Sequence, residues 1–254
     1  MYKNEFTAAS KGAAAKSALL RNNPAGYFLL SMLAGAYIGF GILLVFTVSG
    51  QLNGAPYTKL LMGICFGVAL SLVIIAGAEL FTGNNFVMAA GLFRKTVTLG
   101  EAVRLWIVCW IGNLLGAVVL AFIFNGSGLY AGPSLAAMAA GAAAKMTAPA
   151  LALFCRGMLC NVLVCLAVWC GFRTQNDAAK LLMVFWCLLA FFTTGFEHSV
   201  ANMTLLTLGL INDGGVQGIS FGGYVYNLLI VTAGNMAGAI LCLALPYHLA
   251  SKEK

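Results

Sequence analysis

The sequence ELFTGNN at residues 79–85 interrupts an apolar run that extends over residues 59–93. A second apolar run, over residues 178–211, is interrupted in the same way by TTGFEHS at residues 193–199. Glycine, asparagine and threonine are unfavourable in a helix interior. A glutamate in the middle of a membrane span is costly and is usually functional. The two runs therefore predict membrane helices that each break near the middle.

The composition supports a membrane location for the whole chain. Of its 254 residues, 61% are hydrophobic and 8% are charged, whereas soluble domains carry about 25% charged residues. The formal net charge is +7, and because the charges lie between apolar runs we attribute them to orientation in the membrane rather than to binding of nucleic acid. The eight cysteines form no CxxC pair and no histidine lies at metal spacing from them. We therefore predict an all-α membrane protein with no metal and no cofactor.

Six segments are long and apolar enough to cross a bilayer, which takes about 20 residues: 24–48, 59–93, 102–124, 148–172, 178–211 and 224–249. A loop rich in glycine and alanine is expected at residues 125–147. Lysine and arginine are concentrated at the two ends and in the loops on the same side, which predicts a multi-pass protein of the inner (cytoplasmic) membrane with both termini in the cytoplasm. Residues 1–22 are expected to form an amphipathic helix on the cytoplasmic membrane surface, and residues 23–254 a single transmembrane domain.

The chain also contains an internal repeat. The third and sixth spans share the sequences GNLLGA at residues 112–117 and GNMAGA at residues 234–239, and each break follows the pattern Glu-x-x-x-x-Asn. We infer two repeats of three spans, about 23–126 and about 148–250, with opposite orientations in the membrane. Broken helices in inverted repeats place a site near the bilayer midplane, where the positive N-terminal ends of the half-helices favour an anion.

Three titratable residues in the breaks are interpreted differently. His198 is the only histidine inside a break, so we predict that it donates to an anion or exchanges a proton with it, although a satisfied core histidine is the alternative. Glu79 and Glu197 are expected to support the breaks by accepting backbone N–H groups, without contacting the substrate.

Further polar residues are candidates for the substrate pathway. Thr82 and Asn202 belong to the breaks, and Asn161 lies in the fourth span, where a hydrogen bond between helices is an equal alternative. Lys145 directly precedes the fourth span. We expect it to attract anions, the alternative being a lysine at a helix end that extends toward water.

Several motifs resemble those of a known family. The sequences GAELFTGN at residues 77–84, GFEHSVANM at residues 195–203 and RGMLCNVLVCLAVW at residues 156–169 resemble the signature sequences of the formate/nitrite transporter family. Residues 144–149 and 186–202 look most like its nitrite-channel branch. The resemblance covers nearly the whole chain. It implies an aquaporin-like protomer fold and a homopentamer in the lipid bilayer with one pore per protomer.

The resemblance also implies roles for particular residues. His198 matches the midplane histidine of the family and Thr82 the threonine of the first break, and the N-terminal helix corresponds to one implicated in gating. Two apolar constrictions flank the site, with Leu70 and Phe66 on one side of the break and Leu80 and Phe191 on it or facing it. Lys145 matches a lysine of the vestibule and Asn161 the asparagine of the fourth span.

These observations together predict an ion channel for a small monovalent anion. Nitrite is the first choice of substrate, and formate and hydrosulfide are the alternatives. An apolar constriction blocks hydrated ions, so we expect the anion to be captured, neutralised to its weak acid and released, with movement of a proton. A water channel would need paired Asn-Pro-Ala breaks, an ammonia channel a second pore histidine, and a membrane-embedded enzyme a metal or nucleophile constellation. The sequence contains none of these, so we do not expect an enzyme.

Overall fold

The structure, a computed structural model, describes residues 2–252, and in that range the chain contains helices and no strands. Met1 and residues 253–254, which the predicted domains include, lie outside the described residues. The helices are α1 (Lys3–Asn22), α2 (Pro24–Leu52), α3 (Thr58–Leu72), α4 (Phe81–Phe93), α5 (Leu99–Gly126), α6 (Gly132–Met146), α7 (Ala150–Arg173), α8 (Asp177–Thr194), α9 (Ser199–Ile211), α10 (Phe221–Ala237) and α11 (Leu245–Ala250).

The predicted six spans are confirmed. The helical segments long and apolar enough to cross a membrane are Pro24–Leu52, Thr58–Gly77, Leu99–Gly126, Ala150–Arg173, Asp177–Thr194 and Phe221–Ala250. Helices α4 and α9, of 13 residues each, continue the second and fifth spans beyond the breaks. The sixth span passes through a π-helical segment, Gly238–Ala244, between α10 and α11, which the sequence did not indicate.

Both breaks begin at a glycine in the left-handed region of backbone conformation. The φ angle is +82° at Gly77 and +80° at Gly195, values that residues with a Cβ rarely adopt. In the first break, the glycine ends a π-helical turn that follows α3. The chain is then extended at Leu80 and His198, which directly precede α4 and α9. Leu80 and His198 therefore occupy equivalent positions in the two halves.

The loop predicted at residues 125–147 is wrong for most of its length, because α6 (Gly132–Met146) occupies it. Proline in the first turn fits the start of a helix, where its missing N–H is not needed. Alanine, which dominates the rest of this segment, has the highest intrinsic helix propensity. The glycine content had suggested a loop, but the alanines decide the structure.

Helix α1 forms as expected, but its apolar face is covered by the protein and not by a membrane surface. Phe6, Ala9 and Ala13 are fully buried, and α1 packs chiefly on α4. The Arg94 guanidinium lies 5.5 Å from the centre of the Phe6 ring. The amphipathic pattern of α1 thus reflects docking onto the helix bundle.

The two repeats pack alike, α2 on α5 in the first and α7 on α10 in the second. A Cβ at Gly116 would overlap the carbonyl oxygen of Met32, and a Cβ at Gly238 would overlap that of Met158. These glycines hold the same place in GNLLGA and GNMAGA, and they permit the close helix approach typical of membrane proteins. Helix α1 precedes the first repeat and packs on α4, whereas α6 precedes the second and packs on α9. Helices α1 and α6 are therefore equivalent elements of the two halves.

Candidate functional site

An asparagine from the neighbouring span holds each break. Asn113 Oδ1 accepts from the Phe81 N–H at 2.9 Å, and Asn235 Oδ1 accepts from the Ser199 N–H at 2.9 Å. The side-chain amide of each asparagine donates to the carbonyl oxygen of the glutamate in the same break, again at 2.9 Å. Free backbone groups at helix ends are thereby satisfied at depth in the bundle. Sequence reasoning used these asparagines only as repeat markers, although a polar residue at one place in two apolar spans was the signal of this role.

Glu79 in the first break accepts from two side chains. Lys16 Nζ lies 2.6 Å from Glu79 Oε1, and Asn84 Nδ2 donates to Glu79 Oε2 at 2.9 Å. The glutamate is buried. Lys16 comes from α1, so the carboxylate links the N-terminal helix to the first break.

Glu197 repeats this arrangement in the second break. Lys145 Nζ lies 2.8 Å from both carboxylate oxygens, and Asn202 Nδ2 donates to Oε2 at 2.7 Å. Lys145 comes from α6, the equivalent of α1. Both glutamates thus accept from side-chain partners, whereas the predicted partners were backbone N–H groups. The reason is that the neighbouring asparagine already takes the first N–H of each half-helix.

His198 is buried between the two half-helices. Its Nδ1 accepts from the Ala201 N–H at 3.0 Å, and its Nε2 lies 2.9 Å from Thr82 Oγ1. Because Nδ1 accepts a hydrogen bond, it carries no proton. The ring is therefore in the neutral form with its proton on Nε2. That proton points to the Thr82 hydroxyl, which connects the two breaks. Protonating His198 on Nδ1 would require release of the Ala201 amide.

Three adjacent cavities cross the helix bundle at the level of His198. The Lys16 vestibule, of about 560 Å³, is lined by Lys16, Leu70 and Leu80 among others. The Lys145 vestibule, of about 400 Å³, is lined by Lys145, His198 and Phe191 among others. Between them lies a central cavity of about 10 Å³ that shares Leu70 and Leu80 with the first and Phe191 and His198 with the second. Its volume suits a single water molecule.

The residues that line two neighbouring cavities group the predicted constriction residues differently from the prediction. Leu70 and Leu80 separate the central cavity from the Lys16 vestibule, and Phe191 separates it from the Lys145 vestibule. Phe66, which the family resemblance paired with Leu70, instead packs edge-on against Phe191 with ring centres 5.5 Å apart. The two α3 residues are four apart, about 6 Å along a helix, so they reach different sides of the cavity.

The remaining predicted pathway residues lie in different places. Asn202 lines the Lys145 vestibule. Thr82 and Asn161 are fully buried and line none of the three cavities. Asn161 Nδ2 donates to the carbonyl oxygens of Thr82 and Asn235, which favours its alternative role as a hydrogen bond between helices.

Comparisons with known proteins agree with this architecture. Nitrite transporter NirC of Salmonella typhimurium is 41% identical over 254 residues, which is 100% of this chain and 93% of that protein. A probable formate transporter of Methanothermobacter thermautotrophicus is 37% identical, with 94% of this chain and 93% of that protein covered.

Solved structures of similar proteins have the same fold. A chain described as an FNT family ion channel superposes with a TM-score of 0.92 at 40% identity, covering 98% of this chain and 99% of that one. A pentameric formate channel with formate bound superposes with a TM-score of 0.78 at 30% identity, covering 94% and 98%. These relatives are transporters and channels rather than enzymes. Residues 4–249 match the family described as formate/nitrite transporter, and the chain belongs to that family.

Proposed function

We propose that the protein is a channel for small monovalent anions and that nitrite is its principal substrate, with formate or hydrosulfide as the alternative. The observation that carries this proposal is the central cavity, which joins two cation-bearing vestibules through apolar side chains and one histidine. Full-length identity of 41% to a nitrite transporter supports the choice of nitrite.

The geometry suits capture followed by neutralisation. A cavity of about 10 Å³ between leucine and phenylalanine side chains cannot hold a hydrated ion, and removing water from a full charge is very costly. The weak acid of a monovalent anion crosses such a constriction more readily. His198 lines this cavity, and its Nε2 donates to Thr82 Oγ1. Because the ring is neutral, a proton for the substrate comes from water in a vestibule or by transient protonation of Nδ1.

The test is uptake into liposomes that contain the purified protein, for nitrite, formate and hydrosulfide at two pH values. We expect all three to enter or to compete, with nitrite fastest, and none to be chemically converted. Nitrite uptake equal to that of empty liposomes would reject the proposal, and conversion of substrate would indicate an enzyme.

We further propose that both termini lie in the cytoplasm, in the inner membrane, and that the Lys145 vestibule therefore faces outward. A cysteine introduced at Leu129, which is exposed between α5 and α6, is expected to react with a membrane-impermeant maleimide added to intact cells. A cysteine at Lys95, between α4 and α5, is expected to stay unlabelled. The background carries serine at the exposed cysteines Cys155 and Cys242. The reverse labelling pattern would overturn this topology.

The protein is proposed to assemble as a homopentamer, as the solved formate channel does. Exposed apolar side chains such as Ile107 and Ile111 of α5 and Leu229 of α10 line grooves on the outside of the protomer, and these faces suit contact with lipid or with further copies. Native mass measurement in detergent is expected to give five copies, each of 26.6 kDa. A stable monomer or trimer would contradict this assembly.

A further inference from the structure

The two vestibules differ in charge although the repeat makes them equivalent. The Lys145 vestibule contains three cationic side chains, Lys59, Lys145 and Arg156, and one carboxylate, that of Glu197. Lys145 is bound to both oxygens of that carboxylate. Lys59 and Arg156 are exposed, and no ion pair among residues 2–252 includes either of them. The vestibule thus keeps two uncompensated positive charges.

In the Lys16 vestibule each cation has a carboxylate. Lys16 lies 2.6 Å from Glu79, and Lys180, which also lines this cavity, lies 3.0 Å from Asp177. An anion that enters from this side therefore meets lysines whose charge is already balanced.

The repeat shows where the difference arises. In the first break the Glu79 N–H donates to the carbonyl oxygen of Leu30, and in the second the Glu197 N–H donates to that of Arg156. Leu30 and Arg156 are thus equivalent residues, and each lines its own vestibule. The equivalent position thus carries an apolar side chain in the Lys16 vestibule and a guanidinium in the Lys145 vestibule. The difference in charge between the vestibules is therefore not a consequence of the fold.

We infer that Arg156, assisted by Lys59, forms a capture site for planar monovalent oxyanions in the Lys145 vestibule, and that the channel takes up anions at lower concentration from this side than from the other. The inference rests on the proposed function. A guanidinium presents parallel N–H donors that match two oxygens in one plane, as in nitrite and formate. Uncompensated charge in a cleft with apolar walls also raises the local concentration of anions. Lys145, held by Glu197, contributes less to this field.

The experiment measures initial rates of nitrite uptake into right-side-out and inverted membrane vesicles, which expose the two vestibules in turn. Labelling of a cysteine at Leu129 identifies which vesicles expose the Lys145 vestibule. In Arg156→Gln we expect the half-saturation concentration from that side to rise roughly fivefold, the size expected for loss of one nearby charge in a partly hydrated cleft. The half-saturation concentration and the maximal rate from the Lys16 side are expected to stay the same. The maximal rate from the Lys145 side should rise in proportion to the half-saturation concentration, because passive fluxes in the two directions must balance at equal concentrations.

Two variants separate capture from folding. Arg156→Lys keeps the charge and is expected to restore most of the affinity, and Arg104→Gln removes an exposed arginine that lines neither vestibule and is expected to have no effect. Raising the salt from low to physiological concentration should reduce the difference between wild type and Arg156→Gln, since it screens exposed charges.

The outcomes distinguish this inference from the proposed function. If wild-type vesicles take up no more nitrite than vesicles without the protein, the proposed function fails. If wild type transports nitrite and Arg156→Gln has the wild-type half-saturation concentration from the Lys145 side, the capture site is refuted. An equal rise from both sides would also refute it, because that pattern indicates damage to the shared pore.

Discussion

Replacing His198 by asparagine is expected to give a folded channel that still admits anions but has lost most of its normal pH dependence. The fold should survive because asparagine is among the best residues before a helix, and its side-chain oxygen can accept the Ala201 N–H that His198 Nδ1 now accepts. Asparagine cannot gain or lose a proton near neutral pH. If His198 relays or tunes protonation at the central cavity, transport by the variant should shift toward conduction of the bare anion.

A matched variant separates the effect of losing the titratable ring of His198 from the effect of losing its hydrogen bond with Thr82. Thr82→Val keeps the shape of the threonine but removes the hydroxyl 2.9 Å from His198 Nε2, so it should retain a pH-dependent flux. The measurement is nitrite flux and current across a pH series in liposomes, with native mass as the check on assembly. A His198→Asn channel with wild-type flux and an unchanged pH profile would show that His198 is a satisfied core residue and that protonation takes place in the vestibule.

Replacing Glu197 by alanine is expected to be the most damaging change to stability. It would leave Lys145 without either carboxylate oxygen and would remove the acceptor of Asn202, in a region where both partners are largely enclosed. Breaking a buried ion pair by removing one partner costs about 3–5 kcal/mol. We expect a thermal unfolding midpoint lower by several degrees in detergent and a reduced yield of assembled protein.

The control for this prediction is an ion pair at the surface. Asp177→Asn removes a carboxylate with 75% of its side chain exposed, which pairs with Lys180 at 3.0 Å, and exposed pairs contribute little to stability. Glu79→Ala, in the equivalent break, should resemble Glu197→Ala and should in addition loosen α1, because it releases Lys16. Equal midpoints for Glu197→Ala and Asp177→Asn would mean that Glu197 does not support the break.

Local sequence signals predicted the membrane spans and the breaks. Glycine, asparagine and a glutamate inside apolar runs identify the interruption of a helix without knowledge of its neighbours, and the recurrence of GNLLGA as GNMAGA identifies the repeat. The Glu-x-x-x-x-Asn spacing served only to identify the repeat, and the structure adds that Asn84 donates to Glu79 and Asn202 to Glu197. These features depend on residues close together in the chain.

Features that depend on distant contacts were not predictable in this way. The sequence does not indicate that Lys16 of α1 reaches Glu79, because the contact requires α1 to dock on α4. The regrouping of Phe66 with Phe191 likewise depends on how α3 meets α8. Helix α6 was missed for a different reason, since its glycines suggested a loop while its alanines favour a helix.

The repeat also shows how a nearly symmetric frame acquires two chemically different sides. Leu80 and His198 hold the same position before α4 and α9, so one half contributes an apolar constriction and the other a polar group. Leu30 and Arg156 differ in the same way at the vestibules. In the proposed mechanism, the chemistry of transport therefore depends on positions where the two halves carry different residues, while the frame depends on positions where they agree.

The most direct test of the account compares uptake of nitrite and sulfate by the wild-type protein in liposomes under identical gradients. The account predicts that nitrite enters and that sulfate stays at the level of empty liposomes. A divalent anion loses more hydration energy, and a central cavity of about 10 Å³ is too small for it. Sulfate uptake comparable with that of nitrite would contradict passage through this narrow apolar site.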